Sequence, residues 1–473
     1  MATINAAYSL ITAALEADQA ALDVVANNVA NANTTGYTRQ VANWKENVPV
    51  EINGISYGTG VTQTGPTSIR DRVLEERLGQ QQQASAGSTA RLTALDSVQS
   101  LFTPASGSAS SLAGDIGSDI TGFFNSFASL ESAPTDISLR SQVLSSARTL
   151  AGDISNAATS LTAQRESLDQ QAASIVSQVN ALTGAIAQLN LEIQGTSSNG
   201  DAGSLEDERQ LDLSSLASLI GINRIKTENN GLSITTTSGA LLVSEGTSYP
   251  LTAGTVNGDT HLFIGSQDVT PALAVGGGQL GGLLMARDQD LPQIEEGLDS
   301  LAYAISIQVN ALNNSGSDLN GNTGTAAAPL YIFQQPTAAA GSAAKIRVIM
   351  SDPSQVAAAG LGRGGGDNLN ARAMAALASS PIVDGSSPSA FFSGFVTALG
   401  ATVAQVQIEN TALNASVVQL QKARNALSAV NLNEEAAFMQ QFERSYQAAS
   451  QVFAILNTIM QTAINLGVQT AVS

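Results

Sequence analysis

Ile4-Asn5-Ala6-Ala7-Tyr8-Ser9-Leu10-Ile11-Thr12-Ala13-Ala14-Leu15 near one end of the chain, and Met439-Gln440-Gln441-Phe442-Glu443-Arg444-Ser445-Tyr446 near the other, repeat apolar residues every seven positions. In the first segment Ile4, Ile11, Val25 and Ala32 fill one position of the heptad, and Tyr8, Leu15, Leu22 and Val29 fill the second. Asp18 is its polar exception. In the last segment Leu432, Met439, Tyr446, Phe453 and Met460 alternate with Phe442, Ala449, Leu456 and Ala463, and Glu435 is the polar exception. A two-position heptad sustained over several turns predicts helices that pair along a seam. The two ends, about 400 residues apart, are therefore expected to pair with each other or with copies of themselves. That arrangement suits a subunit of a polymer better than an enzyme.

The composition narrows the alternatives. A chain of 473 residues has room for about three domains and a sizeable core. Twenty basic against 39 acidic residues give a net charge of -19. Nucleic acid and anionic membranes are poor partners for such a surface, since phosphate binding needs clustered Lys and Arg. No cysteine is present, which removes disulfides, thiolate nucleophiles and cysteine metal sites. Met1-Ala2-Thr3-Ile4-Asn5-Ala6 has no basic stretch leading into an apolar core, so no cleavable secretory signal is expected. No apolar run approaches the roughly 18 residues that span a bilayer, and membrane insertion is not expected.

Working inward from the ends, residues 44–68 read as an extended, turn-rich segment, with Trp44, Val48, Val50, Ile52, Ile55 and Tyr57 broken by Gly54, Gly58, Gly60 and Gly65-Pro66. Helical periodicity resumes near Ile69. After a Gly/Ser-rich break it continues at Ile116, Ile120, Phe123, Phe124 and Phe127, and Ala133-Pro134-Thr135-Asp136 signals a new helix start. A long helix is expected over Leu139 to Leu191 and another over Leu205 to Leu219. Residues 222–275 read as β, with turns at Thr237-Ser238-Gly239, Gly246-Thr247-Ser248 and Asn257-Gly258-Asp259. One strand is expected at Lys345 to Met350 within a mixed, loop-rich region, 316–390. Helical pattern returns at Phe391 and runs into the terminal seam. The expected fold is mainly α: paired N- and C-terminal coiled-coil helices (1–43 with 430–473), a long helical-bundle body (69–221, 276–315 and 391–429), and a small β-rich inserted domain (222–275).

Candidate chemistry is sparse. Gly54-Ile55-Ser56-Tyr57-Gly58 has the spacing of a serine nucleophile elbow, but that motif needs a following helix and a histidine base. The next residues, Thr59-Gly60-Val61-Thr62-Gln63-Thr64-Gly65-Pro66, do not begin a helix, and His261 is the single histidine. Asp318-Leu319-Asn320-Gly321 resembles the start of a calcium loop, yet Thr323 and Pro329 stand where the loop needs glycine and glutamate. Gly360 to Asp367 is glycine-rich without the Lys-Ser/Thr ending of a phosphate cradle. No catalytic, metal or cofactor site is expected.

Asp23-Val24-Val25-Ala26-Asn27-Asn28-Val29-Ala30-Asn31-Ala32-Asn33-Thr34-Thr35-Gly36-Tyr37-Thr38-Arg39 resembles the N-terminal signature of the bacterial flagellar rod, hook and hook-associated axial proteins. Asn27, Asn28, Asn31, Asn33, Thr34, Gly36 and Tyr37 carry it. Val430-Asn431-Leu432-Asn433-Glu434-Glu435-Ala436-Ala437-Phe438-Met439 resembles the C-terminal counterpart, with Asn433 where the family commonly has Asp. Tyr57 to Val61, Ile69 to Leu74, Phe123-Phe124-Asn125, Pro134-Thr135-Asp136, Gln210 to Gly221, Leu283 to Pro292, Leu298 to Ala302 and Gly316 to Gly321 resemble the hook-associated branch, because rod and hook proteins usually lack the long helical middle. The resemblance implies a structural subunit at the hook–filament junction, exported through the flagellar channel without a cleavable signal and located outside the cell. It also implies its partners: copies of itself in a helical ring, the hook protein, a second hook–filament junction protein, and the flagellar export chaperone and apparatus. The seam residues would then be the polymerisation surface. An exported helical adhesin or effector is the rival from another class.

Overall fold

The computed structural model describes residues 2–52, 54–102, 116–197, 202–227, 230–256 and 259–469. The Gly/Ser-rich break after Phe102 and the turn expected at Asn257-Gly258 lie outside them.

Helix α1 (Ala2–Ala30) opens the chain. It is rich in Ala and Leu and free of Gly and Pro, so nothing interrupts its hydrogen-bond ladder. It stops well before residue 43, and Ala32 lies in the turn that follows. Gly36 there has φ +83°, the left-handed conformation expected of a helix-terminating glycine. A Cβ on Gly36 would sit 2.5 Å from the Leu211 side chain, so the turn needs glycine for space as well as for conformation. The extended segment forms two antiparallel pairs: β1 (Gln40–Glu46) with β4 (Val61–Ser68), and β2 (Val50–Ile52) with β3 (Ile55–Tyr57).

The helical body follows as α2 (Arg72–Phe102), α3 (Ile116–Ser132), α4 (Ile137–Ser197) and α5 (Gly203–Leu219). Asp71 and Asp136 cap α2 and α4. Asp71 Oδ1 accepts from the Val73 and Leu74 amides, and Asp136 Oδ1 from those of Ser138 and Leu139. The 61-residue α4 is the spine of the molecule. Its buried side chains Leu144, Ala147, Leu150, Ile154, Ala157 and Leu161 recur at three- and four-residue steps, giving one stripe that faces the core. Phe123, Phe124 and Phe127 of α3 pack into that core beside Phe333, with ring centroids 5.1, 5.4 and 5.6 Å from Phe123 to Phe124, Phe127 and Phe333.

The β insert contains two antiparallel sheets. One is β5 (Ile222–Lys226), β6 (Leu232–Thr236), β7 (Leu241–Ser244) and β8 (Thr247–Ser248) in sequence order. The other is β9 (Leu251–Val256), β10 (Asp259–Ile264) and β11 (Gln267–Asp268). Asparagines on α4 hold the strands, since an amide side chain offers the donor and acceptor that a neighbouring strand would. Asn180 exchanges two 2.8 Å bonds with the Leu251 backbone. Asn190 donates to the carbonyls of Leu232 and Glu245 at 2.7 and 2.8 Å.

Next come α6 (Thr270–Ala274), α7 (Gly278–Met285), a π-helical turn (Ala286–Asp290) and α8 (Leu291–Ser315). The π turn ends two residues before Pro292, whose missing amide removes a rung of the ladder. Helix α7 crosses α2 at very short range, with a Cβ on Gly282 falling 2.0 Å from the Gly87 carbonyl oxygen. Gly282→Ala gains up to about 1 kcal/mol in helix propensity. Overpacking of two rigid backbones costs about 1–3 kcal/mol and should win. A lowered urea midpoint is the expected result, and an unchanged or raised one would mean the helices separate freely.

Residues 316–390 fold onto the body and share its core through Ile332, Phe333 and Val356 to Ala359. They include α9 (Ser342–Lys345) and α10 (Leu369–Ala376). The strand expected at Lys345 to Met350 is not formed. Lys345 ends α9, and Val348 makes an isolated bridge to Phe333. The Gln334 amide donates to the Arg347 carbonyl at 2.8 Å and the Ile349 amide to the Ile332 carbonyl at 2.9 Å, while Asn310 exchanges 2.9 Å bonds with the Phe333 backbone. Arg140, fully buried, donates to the carbonyls of Pro134 and Val356.

Two helices close the chain, α11 (Pro388–Ser428) and α12 (Leu432–Gln469). The continuous helix expected here is broken between them. Asn431 caps α12, its Oδ1 accepting from the Asn433 amide at 3.1 Å. The stretch 388–465 is long and apolar enough to cross a membrane by length and composition, with a window of mean hydropathy 1.4, contrary to the sequence expectation. Phe392, Leu399, Val403 and Val406 of α11 are buried against the body, which accounts for part of that hydropathy.

Candidate assembly interface at the paired termini

Helices α1 and α12 lie against each other, and the rings of Tyr8 and Phe453 stand 4.8 Å apart. The most buried face of α1 carries Ala17, Ala21, Val24, Val25 and Asn28. Three of the seam residues flank it rather than form it. Tyr8, Leu15 and Leu22 are half-buried, as are Ile11 and Ala32, while Val29 is exposed. The Ile4 side chain lies outside the described residues. On α12, Met439, Phe442, Ala449, Phe453, Leu456 and Met460 are half-buried, whereas Leu432 and Tyr446 are exposed. The buried face thus takes in Val25 of the expected seam together with the neighbouring 17/24 and 21/28 positions. Helix α1 also packs against β1 and β4, so this face is covered by more than α12. Ala21, Val24 and Ala42 form a separate hydrophobic cluster covered by Phe442.

At one end of this pair sits a polar node. Asn28 and Glu435 are each 1% exposed. The Asn28 amide Nδ2 donates to the Gln40 carbonyl at 2.8 Å and to Glu435 Oε2 at 3.1 Å. Its Oδ1 accepts from the Tyr37 hydroxyl at 2.8 Å and the Gln40 amide at 3.0 Å. Both donors and both acceptor positions of the side chain are used. Arg39 Nε donates to Glu435 Oε1 at 2.6 Å, and the guanidinium lies 5.4 Å from the Phe438 ring centroid. A buried carboxylate survives only with such partners. Burial first, and then the charges of Asp207 and Glu435, push the Tyr37 hydroxyl up to about 12, so it remains a hydrogen-bond donor at neutral pH.

The node also fastens the termini to the body. The Thr38 amide donates to Asp207 Oδ2 at 3.1 Å, and Arg70 pairs with both Asp207 and Glu206 of α5. The Arg39 amide donates to the Ser428 carbonyl at 3.0 Å and the Ile69 amide to the Arg39 carbonyl at 2.8 Å. The signature asparagines have separate tasks. Asn31 bonds back to Asn27 at 2.7 Å, and the Thr34 hydroxyl donates to Asn31 Oδ1 at 3.2 Å, shaping the turn, while Asn33 is exposed. Sequence reasoning missed the partners Arg39, Asp207 and Ser428. The one signal available for Glu435 was its presence as a polar residue in an apolar seam.

The other motifs take structural roles. Ser56 lies exposed on the β2–β3 hairpin, and His261 Nδ1 is 2.7 Å from Asp268 Oδ2 in the other part of the chain's β structure. Burial opposes ionisation of Asp268, but hydrogen bonds from Thr270 and His261 outweigh it and hold the carboxyl below its usual range. Asp318 folds its own turn, accepting from the amides of Asn320 and Asn322. Asp367 accepts from the Gly360 amide at 2.7 Å and closes the glycine-rich loop. Among the described residues no three His, Cys, Asp or Glu side chains are grouped to hold a metal.

The family model of the flagellar hook-associated protein FlgK helical domain matches residues 106–327, and that of the flagella basal body rod protein matches residues 12–38. The flagellar hook-associated protein 1 of Salmonella typhimurium is 30% identical over 320 residues, covering 66% of this chain and 57% of that protein. The chain therefore spans little more than half the length of that relative. The flagellar hook-associated protein 1 of Bacillus subtilis is 26% identical over 500 residues, 96% of each chain. The solved structure of the flagellar hook junction protein FlgK from Burkholderia pseudomallei matches with a TM-score of 0.65 at 17% identity, over 74% of this chain and all of that one, a likeness of fold. The rod model covers the signature stretch of α1 with Asn28 and Tyr37 of the node, the FlgK model covers the α3–α8 core, and these matches, with the hook-associated protein 1 relatives, support a FlgK-type hook-associated protein, a structural family rather than an enzyme family.

Proposed function

We propose that the chain is a non-enzymatic adaptor that joins the hook to the filament of the bacterial flagellum and is required for filament assembly. It leaves the cell through the flagellar channel with the help of an export chaperone. Outside, it polymerises through α1 and α12 into a helical ring of its own copies between the hook protein and a second junction protein. The observation that carries this reading is the outer side of α12. Val452, Ile455, Ile459 and Ile464 are 43%, 59%, 46% and 59% exposed. An isolated pair of helices gains nothing from presenting these to water, and lateral packing against neighbours would bury them. Repeated head-to-tail contacts of this kind build a helix rather than a closed dimer. The seam residues named above are proposed as part of that surface.

Electron microscopy of cells lacking the chain, with flagellin assayed in the medium, tests the proposal. Bare hooks with flagellin lost to the medium are expected. Complementation by an Ile455→Asp, Ile459→Asp double variant should leave the hooks bare although the purified variant keeps its helical body. Missing hooks would move the role to rod or hook, and normal filaments would refute the proposal.

A further inference from the structure

A cleft of about 210 Å³ opens between the start of α2, the first half of α5 and the β5–β6 hairpin. Five of the chain's 20 basic residues line it: Arg70, Arg72, Arg209, Arg224 and Lys226. Three acids, Glu75, Glu76 and Glu206, face them, so the cleft is net positive in a chain of net charge -19. Two of those acids are already engaged. Glu206 receives Arg70 at 3.3 Å, and Glu75 receives Arg424 at 2.9 Å and Gln210 at 3.2 Å.

Arg209 and Arg224 have no carboxylate in salt-bridge contact among the described residues. Arg209 donates at 2.8 Å to the Asn190 side chain and the Asn230 carbonyl. Arg224 Nη1 has a long 3.4 Å contact to Gln210, and Arg224 Nη2 and Arg70 Nε are buried with no partner among the described residues. Burial pulls the pKa of both Arg209 and Arg224 down; Glu206 opposes it at Arg209, where Arg70 and Arg72 add repulsion, and Glu75 and Glu76 oppose it at Arg224. A buried N–H without a partner leaves its desolvation uncompensated. An oxyanion matches the planar fork of donors that a guanidinium presents. At about 30 Å³ per water the cleft holds about seven waters, room for a carboxylate and its stem.

We infer that this cleft is a binding site for an oxyanion, supplied in the assembly by an acidic side chain of a neighbouring copy. The copy as source rests on the polymer proposed above, and 39 acidic residues per chain make carboxylates the anions a neighbour offers. Free phosphate is the other source of the same chemistry. The occupant would sit beside Arg70, which also holds Asp207 and through it the Thr38 amide, so the site adjoins the joint between the terminal pair and the body.

Calorimetric titration of the full-length chain with sodium phosphate and with sodium glutarate, at constant ionic strength against chloride, reads the site directly. Saturable binding of both anions is expected, weakened about tenfold or more in Arg209→Gln and in Arg224→Gln. Arg72→Gln and Lys226→Gln, at exposed positions, should weaken it less, and they keep the test decisive if the buried variants misfold. Arg347→Gln, exposed and outside the cleft, should bind as the parent does. No saturable binding, or equal loss in Arg347→Gln, overturns the site. Phosphate binding without glutarate binding keeps the site but overturns a carboxylate as its occupant. Because the titration uses the free chain, its failure condemns the cleft alone, whereas intact filaments in the deletion strain condemn the junction role alone.

Discussion

Glu435→Ala is expected to release the paired termini while the helical body stays folded. The substitution removes the carboxylate that holds Arg39 at 2.6 Å and receives Asn28 at 3.1 Å. It leaves a largely buried guanidinium and a buried amide hydrogen without that partner. Breaking a buried pair from one side costs about 3–5 kcal/mol, more than the half-buried contacts of a two-helix seam readily absorb. Amide exchange should accelerate through α1 and β1 and remain slow in α4. Glu435→Gln keeps an acceptor for Asn28 and loses the charge on Arg39, so a smaller effect, about 1–3 kcal/mol, is expected. Unchanged protection of α1 in Glu435→Ala would show that the apolar contacts hold the pair unaided.

Phe123→Ala should be the most destabilising single change in the body. Its ring is fully buried and touches three other phenylalanines, one of them Phe333 from the loop-rich region. Removing a ring of this kind costs about 3–5 kcal/mol, the transfer term being joined by the cavity left behind. A fall in the urea midpoint with an unchanged slope is expected. Phe438→Ala, at a side chain 36% exposed, serves as the comparison and should cost far less. A change below about 1 kcal/mol for Phe123→Ala would mean that the neighbours collapse into the space.

The long elements were legible because their apolar spacing is regular. Leu150, Ile154, Leu161 and Leu168 mark the buried stripe of α4 as clearly in sequence as in structure, and short apolar runs between turn residues marked the β insert. The seam of α1 was legible only to within one residue. Heptad reading places Val25 on the buried face but not Ala17 and Ala21, because it weights bulky side chains and does not foresee that β1 and β4 pack on α1. Lys345 to Met350 has the composition of a strand and does bond to the backbone of residues 332–334, but the pairing stops at an isolated bridge, a length that composition does not set. The node was the least legible part. Its members come from residues 28, 37–40, 207 and 435, and a hydrogen-bonded pair separated by 407 residues leaves no local pattern. The asparagines of the signature were recognisable as a string, but the work of Asn28, filling all four of its hydrogen-bonding positions, is visible only once the distant carboxylate arrives.

That separation also sets a clock. The partner of α1 is made long after it. At about 5–20 residues per second, the 407 residues between Asn28 and Glu435 take about 20–80 s to synthesise. For that interval the N-terminal helix has no α12 to cover its apolar side, and its first opportunities for contact are with whatever else the cytosol offers. Part of the body waits as well, because α2 packs against α11 and its Glu75 is held by Arg424, 349 residues away. A newborn chain therefore passes through a stage in which both α1 and α2 stand without the helices that later cover them.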